Sequence, residues 1–160
     1  MNKVSLELKN FRAHKELFLD VDLSSCCRLR GDSGSGKSTV FESILWLLYG
    51  GNGYKPNRSY SGKTEVIMKF NDVTIRRINK KDSLFVTTGT TQLAGEDAES
   101  YVHTCFGNKD FWLSSSYIVQ KSINNFLQVS EKRKLSILSW IAFRGEDPRH
   151  YQEVIQDRLS

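Results

Sequence analysis

Residues 31 to 39 read GDSGSGKST, and the chemistry open to them is the gripping of a polyphosphate. Gly31, Gly36, Lys37 and Ser38 satisfy the pattern G-x-x-x-x-G-K-[ST]. Between them stand Asp32, Ser33, Gly34 and Ser35, mostly small residues that let the backbone fold tightly. Successive N–H groups can then converge on phosphate oxygens. A helix starting at the loop adds the partial positive charge of its N-terminus. Lys37 supplies a mobile ammonium to the β- and γ-phosphates, the Ser38 hydroxyl is a ligand for Mg²⁺, and Thr39 adds a hydrogen bond to the α-phosphate. Residues 31 to 39 are therefore expected to bind a nucleoside triphosphate together with Mg²⁺.

Such a loop must sit between a strand and a helix. Upstream, VSLELKNF alternates apolar Val4, Leu6 and Leu8 with polar neighbours, and LFLDVDL continues the alternation beyond a polar tip from Arg12 to Lys15. An antiparallel hairpin follows from that pattern. SSCCRLR then feeds directly into Gly31 and is expected to be strand-like. Downstream, Val40, Ile44, Leu47 and Leu48 recur at helical spacing, Phe41, Leu45 and Trp46 widen the apolar face, and Gly50 and Gly51 stop the helix. TEVIMKF, VTIRRI and SLFVTT predict a three-stranded meander over residues 64–88, with Asn71 and Asp72 in its first turn. AGEDAESYVHTCFG predicts a helix closed by Gly107, and SSSYIVQ an extended segment. Ser130 is the expected N-cap of a helix over EKRKLSILSWIAF, and Pro148 opens a final helix, PRHYQEVIQDRLS.

At 160 residues the chain has the size of one domain, long enough to bury about 70% of its unfolded surface. Its 39% hydrophobic and 26% charged content excludes disordered and fibrous classes. No apolar stretch approaches the roughly 20 residues of a membrane span, and MNKVSLELKNFR has no signal-peptide core. The expectation is an intracellular protein without a membrane partner. A net charge of +5 leaves nucleic acid open as a partner, beside the plainer reading of a solvated basic surface. The adjacent Cys26 and Cys27 fit neither a disulfide staple nor a zinc knuckle, and His14, His103 and His150 lack ligand spacing. All are read as structural or surface residues.

The order of these segments resembles a family. A hairpin carrying KNFRAH, the phosphate loop, FESILWLLYG, a meander ending in VTIRR, and FWLSSSYIVQKSINNFLQVSEKRK together resemble the N-terminal half of the ATPase head of SMC-like ABC proteins, in particular the SbcC-type DNA double-strand-break repair ATPases. The likeness runs from about Met1 to Tyr151. It implies an α/β P-loop NTPase fold, a half-head with an antiparallel β-meander and a parallel core strand feeding the P-loop. Residues 1–144 would form the lobe, and 145–160 the start of a coiled coil or a terminal amphipathic helix. Gln120 stands where the family has its Q-loop glutamine, which reaches Mg²⁺ and the γ-phosphate, so the resemblance makes Lys37 and Gln120 the residues acting there. An amide suits that place, since its carbonyl can approach a metal while its NH₂ engages phosphate or water. Arg12 matches a basic position near the nucleotide, with a solvated hairpin tip as the alternative, and Arg76 matches an arginine at the end of the meander. Two departures stand out: Ser33 replaces a usual asparagine, and Arg28, Arg30 and two cysteines occupy a strand the family fills with aliphatics.

Hydrolysis in that family also needs a Walker B strand ending in Asp-Glu and an LSGGQ signature. Neither is found: Glu146 and Asp147 are in the wrong order, and Ser114 to Ser116 lack glycines. The resemblance places those parts in a C-terminal lobe beyond a coiled coil, on the same or a separate chain. The partners it implies are that lobe, a second head in a homodimer, DNA, and a nuclease subunit. Tyr151, Val154, Ile155 and Leu159 recur at coiled-coil steps, although a helix packing on its own domain has the same spacing. Candidate DNA cations are Lys63, Lys69, Arg77, Lys80 and Lys81 on the meander, and Lys132, Arg133 and Lys134 at the penultimate helix. Two rival readings fit the same residues. One is a stand-alone P-loop kinase, to which RSYSGK offers Arg58 but no convincing lid; the other is a non-catalytic nucleotide-binding assembly module. As an enzyme, the chain is expected to act as an ATPase only within a complete protein.

Overall fold

The computed structural model of the chain describes residues 3–51, 62–79, 84–117, 126, 129–143, 151 and 155–158. They belong to two compact units, Met1–Val102 and His103–Ser160. In the first, β1 (Lys3–Phe11) and β2 (His14–Asp22) form the expected hairpin, turning at Arg12 and Ala13 with Arg12 in the left-handed region (φ +48). β1 also pairs with β3 (Glu65–Phe70), which leads through β4 (Val73–Ile78) and β5 (Leu84–Thr88) to β6 (Thr91–Ala94). The result is a six-stranded sheet, ordered β2-β1-β3-β4-β5-β6, antiparallel at every pairing. The meander thus has one strand more than predicted, because TQLA is too short and polar to carry strand periodicity.

One sheet face makes the core. Alternation points Leu6 and Leu8, Val66 and Met68, Ile75, and Leu84 and Val86 to the same side, all buried. At the left-handed Asn10 (φ +52) the alternation skips a residue, so that Phe11 is buried. Helix α1 (Lys37–Tyr49) packs on β1, β3 and β4, with Leu45, Leu47 and Leu48 buried and Trp46 against the Phe11 ring at 5.5 Å. Each leucine so covered contributes about 1.5–3 kcal/mol, which fixes the helix, and hence the loop before it, to a rigid sheet.

The parallel core strand expected before the loop is not formed among the described residues. Residues 26–32 make no ladder, and every one of them is exposed. A parallel strand buried on both faces reads as a nearly continuous aliphatic run. Here the two arginines and two cysteines offer only Leu29 to a core, and it stays 38% exposed.

Helix α2 (Glu96–Phe106) ends where predicted: Gly107, at φ +79, donates its N–H to the His103 carbonyl at 2.9 Å. In the second unit, α3 (Lys109–Ser115) occupies the beginning of the segment expected to be extended. Its N-cap Asn108 accepts the Phe111 N–H at 2.8 Å. Ser114 and Ser115 turn their hydroxyls back to the carbonyls of Asp110 and Phe111, both at 2.7 Å, and so stay satisfied within a helix. α4 (Glu131–Phe143) follows Ser130, whose carbonyl accepts the Lys134 N–H at 2.9 Å. The Phe111 and Trp140 rings meet 4.3 Å apart beside Gly107, where a Cβ would lie 2.6 Å from Phe111. The boundary expected at 144 and 145 lies outside the described residues, as does most of the final helix; residues 155–158 are helical. Among the described residues no helix is long and apolar enough to cross a membrane.

Candidate nucleotide site

Helix α1 begins at Lys37, directly on the phosphate loop. Its N-cap is Gly36, left-handed at φ +86 and ψ 15, with no side-chain cap and no acidic residue in the first turn. The N-terminal amides of a helix have no partners within it, and here no local side chain takes that role. The loop turns back on itself through the Ser35 N–H, which donates to the Asp32 carbonyl at 3.2 Å. The Lys37 ammonium reaches across and donates to the Gly31 and Asp32 carbonyls at 2.8 and 2.6 Å. A cation is thus stationed over a ring of small residues. Gly31 to Ser35 and Ser38 are exposed, while Thr39 is buried.

The β1–β2 turn forms one wall of this corner. His14 Nε2 lies 3.2 Å from the Gly36 carbonyl oxygen. A Cβ at Gly36 would come within 2.5 Å of that nitrogen and 3.2 Å of the Ala13 Cβ, so only glycine fits. Arg12 forms an ion pair with Glu42 of α1, both side chains being half-buried. The structure therefore brings Arg12 and residues 31–38 to the same end of α1. The sequence offers no ligand spacing around His14; the hairpin register, not a motif, brings it to the loop.

Arg77 holds the other end. It lies on β4 facing α1, buried, and donates from Nε to the Leu47 carbonyl at 2.8 Å and from Nη2 to the Leu48 carbonyl at 3.3 Å. Gly50 leaves it room, since a Cβ there would meet Nη1 at 3.1 Å. Burial draws the guanidinium below the usual arginine range, and the Glu99 carboxylate partly offsets that. A guanidinium nevertheless stays charged at neutral pH, which suits the negative end of a helix. Arg77 is thereby removed from the candidate DNA cations: β4 alternates, and Arg77 shares the inward side with Ile75, whereas exposed Arg76 points outward to Glu65 at 2.5 Å.

Of the other cations, Lys63, Lys69 and Lys132 are exposed, Lys134 is half-buried, and Arg133 pairs with Asp110. Lys80, Lys81, Arg58 and Gln120 lie outside the described residues. Among the described residues no group of three or more His, Cys, Asp or Glu side chains is placed to hold a metal. The exposed Ser38 hydroxyl is a hard oxygen donor next to the loop, and it fits Mg²⁺ shared with phosphate oxygens better than a softer ion. Cys26, Cys27 and Cys105 are exposed and unbridged.

Comparison with known proteins adds two kinds of likeness. The model of one family, described as an AAA domain, matches residues 5–158. Uncharacterized protein 094L of Invertebrate iridescent virus 3 is 27% identical over 120 residues, which cover 72% of this chain and 14% of that protein. Uncharacterized protein 050L of Invertebrate iridescent virus 6 is 27% identical over 143 residues, covering 88% of this chain and 12% of that protein. The chain thus spans a small fraction of the length of the viral relatives it matches.

Proposed function

The chain belongs to the AAA domain family, and from that premise we propose that it is the ATP-binding N-terminal lobe of a larger ATPase of the SMC and SbcC type. Family membership implies nucleotide binding. The observation that carries the reading further is the Lys37 ammonium drawn over the loop onto the Gly31 and Asp32 carbonyls, at the uncapped start of α1. An arriving triphosphate exchanges those two neutral acceptors for charged ones, a stronger bond for the same side chain. The loop amides and the start of α1 would hold the phosphates, Lys37 would supply its charge to them, and Ser38 would hold Mg²⁺ through its hydroxyl. When bound, the metal supplies neutralisation of the phosphate charge. Arg12, steadied by Glu42, flanks the same end of the helix.

Hydrolysis in this proposal belongs to the assembled protein. A C-terminal lobe, on the same or another chain, provides the carboxylate that activates water, Gln120 couples the metal site to that lobe, and two heads engage to close the site. Partners beyond the second lobe and the second head are DNA, met through phosphate contacts by exposed lysines such as Lys63 and Lys69, and a nuclease subunit. The test is equilibrium binding of a fluorescent ATP analogue to the 160-residue chain with Mg²⁺. Saturable binding that ATP displaces and AMP does not is the expected result. Binding that AMP displaces equally well would overturn the reading, because a nucleoside with one phosphate does not need the loop.

A further inference from the structure

We infer that His14 is a positioning residue of the triphosphate site, holding the Gly36 carbonyl from the hairpin turn and so aiming the amide at the head of α1. The inference rests on the nucleotide-binding reading and adds to it a residue outside the loop. The carbonyl of Gly36 can only accept, so the 3.2 Å contact requires the proton on Nε2 of the imidazole. That carbonyl and the N–H of Lys37 belong to one planar trans peptide and point in opposite directions. A bond that ties the carbonyl to the hairpin therefore turns the Lys37 N–H away from it. The left-handed Gly36 followed by helical Lys37 is the backbone succession that makes adjacent amides converge on an anion.

Beyond the N–H of the first intrahelical bond, which the N-cap carbonyl accepts, no side chain local to the loop performs this service. Gly36 has no side chain, and no side chain caps the helix start. The imidazole occupies the space a Cβ at Gly36 would need, 2.5 Å from Nε2, so the ring and the bare glycine are fitted to each other. The turn that carries His14 is itself tied to α1 by the Arg12–Glu42 ion pair, which makes it a fixed support. Rotation of one peptide plane is what His14 restrains, and an amide that must find its direction after binding loses affinity.

Calorimetric titration of MgATP into the wild-type chain, His14→Phe and His14→Gln, with melting curves for each, tests the inference. Phenylalanine keeps a ring and removes the donor; glutamine returns an N–H donor at similar reach. His14→Phe is expected to bind about threefold to tenfold more weakly, the range for one lost hydrogen bond, with a small fall in melting temperature from the same loss, and His14→Gln to recover most of both. Equal affinity in His14→Phe, or a loss in His14→Gln as large as in His14→Phe, overturns it. Absence of MgATP binding in the wild type would instead defeat the site reading itself. Should His14→Phe not fold, ¹⁵N spectra of the wild-type imidazole decide: an Nε2–H tautomer supports the inference, and an Nδ1–H tautomer overturns it.

Discussion

Arg77 and Ser38 show how much depends on single polar atoms at the two ends of α1. Arg77 closes the helix by donating to two carbonyls that have no partner within it, inside a region closed to water. Replacement by methionine keeps a similar length and removes both donors. Arg77→Met is expected to lower unfolding free energy by about 1–3 kcal/mol in urea denaturation, the cost of leaving buried acceptors unsatisfied. Unchanged stability would mean that the two carbonyls find other partners. Ser38 is exposed, and under the proposed function its hydroxyl serves the ligand and not the fold. In Ser38→Ala, the gain in ATP affinity on adding Mg²⁺ should shrink sharply while the melting temperature holds; an undiminished Mg²⁺ effect by calorimetry would place the metal elsewhere.

At the scale of elements, the hairpin and the loop act as one piece. Gly36→Ala should destabilise for two reasons, the left-handed backbone at φ +86, which costs a residue with a Cβ about 1–2 kcal/mol, and the clash with the His14 ring. Only the second vanishes in a His14→Ala background, so the double mutant should lose less than the sum of the two single losses. Strict additivity in denaturant titrations would separate the two elements. The hairpin, α1 and the meander were legible in the sequence because each buries one face, and a single buried face writes its period into residues such as Leu6, Leu8, Val66 and Met68. β6 was not, having one apolar residue, Leu93, beside Thr91 on its inward side, and α3 was hidden by serines that bond within the helix. SSCCRLR sits where a P-loop fold has its core strand, but with two arginines, two cysteines and a single exposed leucine it has no aliphatic face to bury, and composition overrides position. Within the site, the motif marked Gly31 to Thr39, but motif spacing along the chain says nothing of His14 or Arg77. Those two enter through strand pairing and strand alternation, which only the folded register makes visible.

For the whole molecule, the net charge of +5 and the exposed Lys63, Lys69 and Lys132 set the DNA proposal apart from the nucleotide one. Binding to duplex DNA should weaken steeply as salt rises, since counterions released from phosphates are recaptured, and a flat salt response would count against it. Turnover of ATP by the chain alone should be negligible and should rise when a C-terminal lobe is supplied; a rate for the chain alone matching an intact ATPase would contradict the division of labour between lobes. The most direct measurement is a titration of MgATP into the ¹⁵N-labelled chain, followed through its backbone amides. The account predicts that the largest shifts fall on Gly31 to Thr39, and that Lys37→Ala abolishes them. Shifts centred elsewhere, or shifts that persist in Lys37→Ala, would contradict it.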